Sequence, residues 1–140
     1  MSIAMTAVEL QGFLAREFGQ VVNDFAVERA EVDGVTLRLR VAERHLRPGG
    51  TVSGPSMFAL VDVAMYLAIL CRIGPKALTV TTNCGIDFMR KPAAGQDLLA
   101  EARILKLGRV LVVGDVLVFS EGLPDPVARA GLTYSIPPER

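Results

Sequence analysis

Residues 56–71 contain neither Gly nor Pro and carry only one charged side chain, Asp62. They are rich in strong helix formers: Met57, Ala59, Leu60, Ala64, Met65, Leu67, Ala68 and Leu70. Gly74-Pro75 ends the helix, because Gly accepts the terminal backbone conformation and Pro cannot extend it. Its start is equally marked. Ser53 or Gly54 can cap it, and Pro55 suits a first turn, where a missing N–H costs nothing. The pattern predicts a central helix over about 55–72. The helix is apolar almost all round, so the rest of the chain is expected to enclose it. It reads as too short, and too plainly interrupted by Asp62, for a membrane span.

The approach to this helix is as informative as the helix. Arg47-Pro48-Gly49-Gly50-Thr51-Val52-Ser53-Gly54-Pro55 feeds a flexible loop straight into its first turn. Backbone N–H groups at a helix start have no helical partner and point outward, so they can hold a polarised carbonyl. Asp62 sits within the same helix among Leu60, Val61, Val63 and Ala64. A carboxylate among apolar neighbours is costly to ionise and is often retained for chemistry.

The 140 residues suffice for one domain with a real core, and a single domain over 1–140 is expected. Fifteen basic and fifteen acidic residues balance, so no global field favours nucleic acid or a membrane surface. Met1-Ser2-Ile3-Ala4-Met5 lacks the basic start and long apolar core of a secretory signal, and a cytoplasmic location is expected. Cys71 and Cys84 have no metal or redox spacing and read as reduced, largely buried thiols. With a single His beside them, no metal site is expected.

Around the central helix, the periodicity changes. Val8, Leu10, Phe13, Leu14 and Phe18 recur at helical spacing over about 6–19, with Thr6 and Glu9 as a capping box and Gly19 as a stop. Phe25 to Glu31 and Val35 to Val41 alternate as strands around the turn signal Asp33-Gly34. Four more strands follow: Ala77 to Met89, Asp97 to Lys106, Val110 to Phe119 and Val127 to Ser135. Leu107-Gly108-Arg109 and Gly122-Leu123-Pro124-Asp125 supply turns, and the tail Pro137-Pro138-Glu139-Arg140 is expected to fray. Strands segregated from one apolar helix imply an α+β architecture, a curved antiparallel sheet wrapped on that helix. This is the arrangement of the hotdog fold.

Ser53-Gly54-Pro55-Ser56-Met57-Phe58-Ala59-Leu60-Val61-Asp62-Val63-Ala64 resembles the motif of hotdog acyl-CoA thioesterases of the PaaI type (phenylacetyl-CoA thioesterase-like). That motif reads His-Gly-Gly, four residues, Leu, one residue, Asp or Glu, one residue, Ala. Gly54, Leu60, Asp62 and Ala64 match in register. Ile86-Asp87-Phe88-Met89-Arg90-Lys91-Pro92 is similar to the family's strand end, and Gly95 to Arg109 and the closing strand with Tyr134 also fit. Ser53 stands where the family has His, Pro55 where it has the second Gly, and Arg47 where an Asn often precedes the motif. Ser can cap a helix and donate a hydrogen bond, but it cannot replace imidazole in acid–base work.

The resemblance implies hydrolysis of an acyl-CoA thioester without a cofactor, CoA being part of the substrate. The candidate catalytic residues are Asp62, Gly54 and Ser53. Asp62 is nucleophile or general base, and the helix start at Gly54 receives the developing oxyanion. Ser53 reads as a cap rather than a nucleophile, because the lone His45 lies on the upstream loop, where it is expected to be solvated. Asp62 lies eight residues beyond Gly54, which is roughly 12 Å along a helix axis. One carbonyl cannot touch both in one chain. If both act, two helices must run antiparallel across a two-fold axis, which implies a homodimer or a dimer of dimers. Pro55, Phe58, Tyr66, Thr82 and Asn83 are candidates for the acyl side, and Tyr66, one turn after Asp62, can bond it, line the acyl pocket or pack in the core. Arg90, Lys91, Lys106 and Arg109 are candidates for the CoA phosphates, which need several cations together.

Plainer assignments compete. Asp62 can be a structural acid, Gly54 a tight turn, and the basic residues solvated strand ends. Two other functions compete as well: a non-catalytic acyl-CoA-binding hotdog protein, and an acyl-chain dehydratase or hydratase. His45-Leu46-Arg47-Pro48-Gly49 resembles the His-Phe-Pro-Gly loop of acyl-carrier dehydratases, but Met57, Phe58 and Ala59 stand where their helix Glu would be expected.

Overall fold

The computed structural model describes residues 2–138, so Glu139 and Arg140 of the tail lie outside the described residues. Helix α1, Ala7–Glu17, opens on the expected capping box: Thr6 Oγ1 accepts from the Glu9 N–H while Glu9 accepts from the Thr6 N–H. It stops before Gly19, with Phe18 as its C-cap. Strands β1, Phe25–Glu31, and β2, Gly34–Leu39, form the hairpin. Gly34 is required there by close approach, because a Cβ would fall 2.1 Å from the Ala102 carbonyl oxygen of the next strand. After the loop comes helix α2, Gly54–Ile73, then β3, Val80–Phe88, β4, Leu98–Leu107, β5, Leu111–Ser120, and β6, Pro126–Ser135.

All six strands join in one antiparallel sheet of order β1-β2-β4-β5-β6-β3. The expected α+β hotdog architecture is borne out, with α2 lying along one face of the sheet. Alternation decides which residues meet it. Val35, Leu37 and Leu39 of β2 are buried, as are Leu98, Ala100 and Ala102 of β4 and Val116 and Val118 of β5. On β5 the slot between Val112 and Val116 holds Gly114, where a Cβ would lie 2.3 Å from Met65 Cε. The missing side chain lets the helix settle on the sheet. From α2, Leu60, Met65, Leu67, Ile69 and Leu70 are fully buried, and each such side chain contributes about 1.5–3 kcal/mol over an exposed one.

Two expectations need correction. With 20 residues, α2 is long and apolar enough to cross a membrane by length and composition. What marks it as a core helix is its packing, since most of its apolar window is buried against the sheet. The enclosure is also incomplete. Pro55, Phe58 and Ala59, on the first half of α2, are exposed, so the strands of one chain cover only part of an apolar helix.

The two outer strands end differently. At β1 the Gln11 side chain of α1 donates to the Phe25 carbonyl at 3.0 Å and accepts from the Val27 N–H at 2.8 Å. It satisfies backbone groups that a further strand would otherwise take. Strand β3 pairs with β6 on one side and with no described strand on the other.

Candidate active site

The loop into α2 is shaped by Gly49 and Gly50, at φ 104° and 83°, a region that side chains with a Cβ rarely enter. The Arg47 N–H donates to the Thr51 carbonyl, and Leu46 bridges Val52. The Ser53 N–H then donates to the His45 carbonyl at 2.8 Å, which fixes the helix start. His45 is buried rather than solvated. Its Nδ1 accepts from the Ala42 N–H at 2.9 Å, and its Nε2 lies 3.4 Å from Asp24 Oδ2. Burial, and then the Arg44 charge, hold its pKa below the ordinary value. With Nδ1 taken by the Ala42 N–H and Nε2 facing Asp24, the imidazole props up the loop and offers no free nitrogen to a dehydratase reaction.

Ser53 is the N-cap, and its Oγ accepts from the Ser56 N–H at 3.3 Å. Pro55 has no N–H to give. Of the first three helical residues only Gly54 therefore keeps a free N–H, and it meets no acceptor among the described residues. The Phe88 ring lies over it, since a Cβ on Gly54 would stand 3.3 Å from Phe88 Cζ. Two turns on, Asp62 is half-buried, and two hydroxyls converge on one of its oxygens. Thr81 donates to Oδ1 at 2.7 Å, and the Tyr134 hydroxyl lies 2.6 Å from Oδ1 and 2.7 Å from the Asp62 main-chain oxygen. No described residue bonds Oδ2.

Several predicted residues lie elsewhere. Tyr66 does not bond Asp62. Its hydroxyl donates to the Ala77 carbonyl at 2.8 Å, and its ring packs with Phe13, Phe18 and Tyr134 in the core. Burial pushes its phenol up to about 12. Thr82 donates to the Thr133 carbonyl and is exposed, and Asn83 lines a groove of about 1070 Å³ on the sheet face away from α2. The residue that reaches Asp62 is Thr81. A register shift between Thr81 and Asn83 reverses the simple alternation, and nothing in the sequence marked it. Tyr134 was visible only as part of a strand. Pro55 and Phe58 lie exposed beside Gly54.

The four basic residues do not gather within one chain. Arg90 and Lys91 follow Phe88, at the Gly54 end of β3, and Arg90 donates to the Pro126 carbonyl. Lys106 and Arg109 flank the β4–β5 turn, at the sheet end that holds Tyr134 and Thr81. Cys84 is half-buried in β3, and burial, then the Asp62 charge, push its thiol up, which suits no nucleophile. Among the described residues no cluster of His, Cys, Asp or Glu is placed to hold a metal.

Comparison with known proteins agrees with this geometry. A family model described as the Thioesterase superfamily matches residues 49–126. Acyl-coenzyme A thioesterase 13 of Homo sapiens is 30% identical over 103 residues, 73% of this chain and 72% of that protein. The crystal structure of a thioesterase candidate from Silicibacter sp. TM1040 is 54% identical, with a TM-score of 0.92 over 99% of this chain and 96% of that one. A Streptococcus mutans UA159 protein, solved bound to acetyl CoA, is 27% identical, with a TM-score of 0.71 over 83% of this chain and 90% of that one. The matched span carries Gly54, Asp62 and Thr81 together, and this chain belongs to the thioesterase superfamily.

Proposed function

We propose that this protein hydrolyses an acyl-CoA thioester to free acid and CoA, at a site that two copies of the chain build together. The observation that carries the reading is the placement of two groups along β3. Gly54 lies against Phe88 at one end of that strand, and Asp62 bonds Thr81 at the other. Strand β3 is also the open edge. Antiparallel pairing of β3 with its copy, about a two-fold axis near the middle of the strand, sets the Phe88 end of one chain beside the Thr81 end of the other. The free N–H of Gly54 then faces the partner's Asp62 across a gap one thioester can fill.

Three features support this pairing. The edge and its surroundings are apolar: Leu78, Val80, Phe88, Met89 and Phe58 are exposed in the single chain. The half of α2 that the sheet leaves bare lies on the same side as β3. The separated basic pairs also come together, since the partner's Arg90 and Lys91 reach the end that holds Lys106 and Arg109. Four cations then stand where one chain supplies two, which fits the phosphates of CoA. The similarity to a protein named for acyl-coenzyme A hydrolysis and to one bound to acetyl CoA supports the substrate class.

In this site the Gly54 N–H, at the positive end of the α2 dipole, receives the carbonyl oxygen as charge develops on it. Asp62 acts through Oδ2, the oxygen no described residue bonds, on the carbonyl carbon or on an intervening water. No cofactor enters the scheme. The test is thiol release from a panel of acyl-CoAs. Wild-type protein should turn over, and Asp62→Asn should lose roughly 10²- to 10⁴-fold in kcat while keeping its fold. Tight acyl-CoA binding without turnover in the wild type would favour the non-catalytic reading, and hydration of an enoyl-CoA would favour the hydratase.

A further inference from the structure

Tyr134 is 2% exposed, and its hydroxyl is the closest polar group to the Asp62 carboxylate. It stands opposite Thr81 in the β3–β6 ladder. Cross-strand partners present their side chains on the same face of the sheet. The two hydroxyls are therefore delivered side by side, by rigid backbone, to the same oxygen Oδ1. The Tyr134 ring is itself fixed, stacked on Tyr66 at 6.3 Å between centroids. A side chain locked by a strand, a ring contact and a short hydrogen bond has little freedom, and neither has the carboxylate it holds.

We infer that Tyr134 is a positioning residue for Asp62: it pins Oδ1 and turns Oδ2 toward the reacting carbonyl. The inference rests on the reading of Asp62 as the acting carboxylate. The phenol has two acceptors within reach, Oδ1 and the Asp62 main-chain oxygen, and one proton to give. When the carboxylate is charged, Oδ1 is the stronger acceptor. When Asp62 carries a proton, the phenol can turn to the main-chain oxygen and keep a partner. The buried hydroxyl is thus satisfied in both protonation states of the acid, which spares the site an orphaned donor during turnover. Burial and the neighbouring Asp62 charge push the Tyr134 phenol above its ordinary value, so it remains a donor throughout.

The test compares Tyr134→Phe with Tyr66→Phe, in wild-type and Asp62→Asn backgrounds. Both variants lose one buried hydroxyl from the same aromatic stack, but the Tyr66 hydroxyl points to Ala77 and away from Asp62. Tyr134→Phe should lower kcat roughly 10- to 100-fold with KM little changed, the size expected when a reacting group is misplaced. In the Asp62→Asn background it should cost less than about twofold, because a residue acting through Asp62 has nothing left to act on. Tyr66→Phe should leave kcat within about twofold. Equal losses in both backgrounds, or no loss in the wild type, would overturn the role. A readout independent of turnover separates this from the thioester reading. With tyrosine labelled at Cζ, the carbon resonance of Tyr134 should move in Asp62→Asn and stay put in Tyr66→Phe. If the wild type releases no thiol but that response is seen, hydrolysis fails and the Tyr134–Asp62 contact stands. If the resonance ignores Asp62→Asn, the inference falls whatever the turnover.

Discussion

At the β1 edge a side-chain amide, that of Gln11, takes two backbone groups that a neighbouring strand would otherwise use. At the β3 edge no described group does so, and Val80, Phe88 and Met89 stand exposed instead. An uncovered, apolar edge is a hazard in a monomer, and proteins normally blunt it with charge, proline or a covering segment. Here one edge is closed by the chain's own first helix, and the other is left open beside the bare half of α2. The contrast teaches that the same sheet ends in two ways, one edge satisfied from within the chain and the other left with apolar side chains exposed. The closed one limits the sheet, and the open one is where the proposed site is completed.

The largest effect should come from closing the open edge with charge. Antiparallel pairing of the two copies brings the Val80 end of one β3 beside the Met89 end of the other, so Val80→Asp combined with Met89→Asp gathers two carboxylates at each end of the pairing. Sedimentation should then show monomer, and thiol release should fall by on the order of 10³-fold, since neither half-site is complete alone. A folded monomer that keeps its turnover would break the comparison. A subtler experiment mixes two inactive chains. Asp62→Asn removes one half of each site, and Gly54→Val blocks the other, because a Cβ there already presses on Phe88. In a mixed dimer one site takes both lesions and its twin takes neither. Random exchange of equal amounts should restore about a quarter of wild-type activity. No recovery, with exchange and folding of the Gly54 variant verified by tagged chains, counts against a shared site. The smallest effect belongs to the closed edge. Gln11→Ala should cost about 1–2 kcal/mol in a denaturant titration, for two lost hydrogen bonds, and leave kcat and the oligomeric state alone. If it changes turnover as strongly as the β3 substitutions do, the two edges are not functionally distinct.

Much of this was legible in the residues. Local rules placed α1 and α2, because caps, glycine stops and helix formers act within a few residues. Thr6 and Glu9 form the capping box they spell, and Ser53 caps α2. The six strands follow from alternation and turn chemistry. Gly54 and Asp62 stand out by their spacing within one helix and by resemblance to thioesterases, and the family assignment agrees with that resemblance.

What the residues left open depends on contacts between distant segments. Thr82 and Asn83 read as pocket candidates, yet Thr81 is the residue that meets Asp62, because a bulge set by pairing with β6 shifts the alternation. Of the three roles open to Tyr66, one helical turn after Asp62, the fold selects core packing, with the hydroxyl donating to Ala77. The four basic residues are close in composition but sit at two ends of the sheet, a separation fixed by strand register. His45 looks like a loop residue in sequence, and only the folded loop shows it buried. Sequence by itself determined the elements, the apolar helix with its one acid, and the capped helix start at Ser53-Gly54-Pro55, since each is written in residues a few positions apart. The tertiary structure alone decided that Tyr134, 72 positions after Asp62, lies against its carboxylate, and that β3 is the strand left open. Both follow from the order in which strands pair, and no local pattern encodes that order.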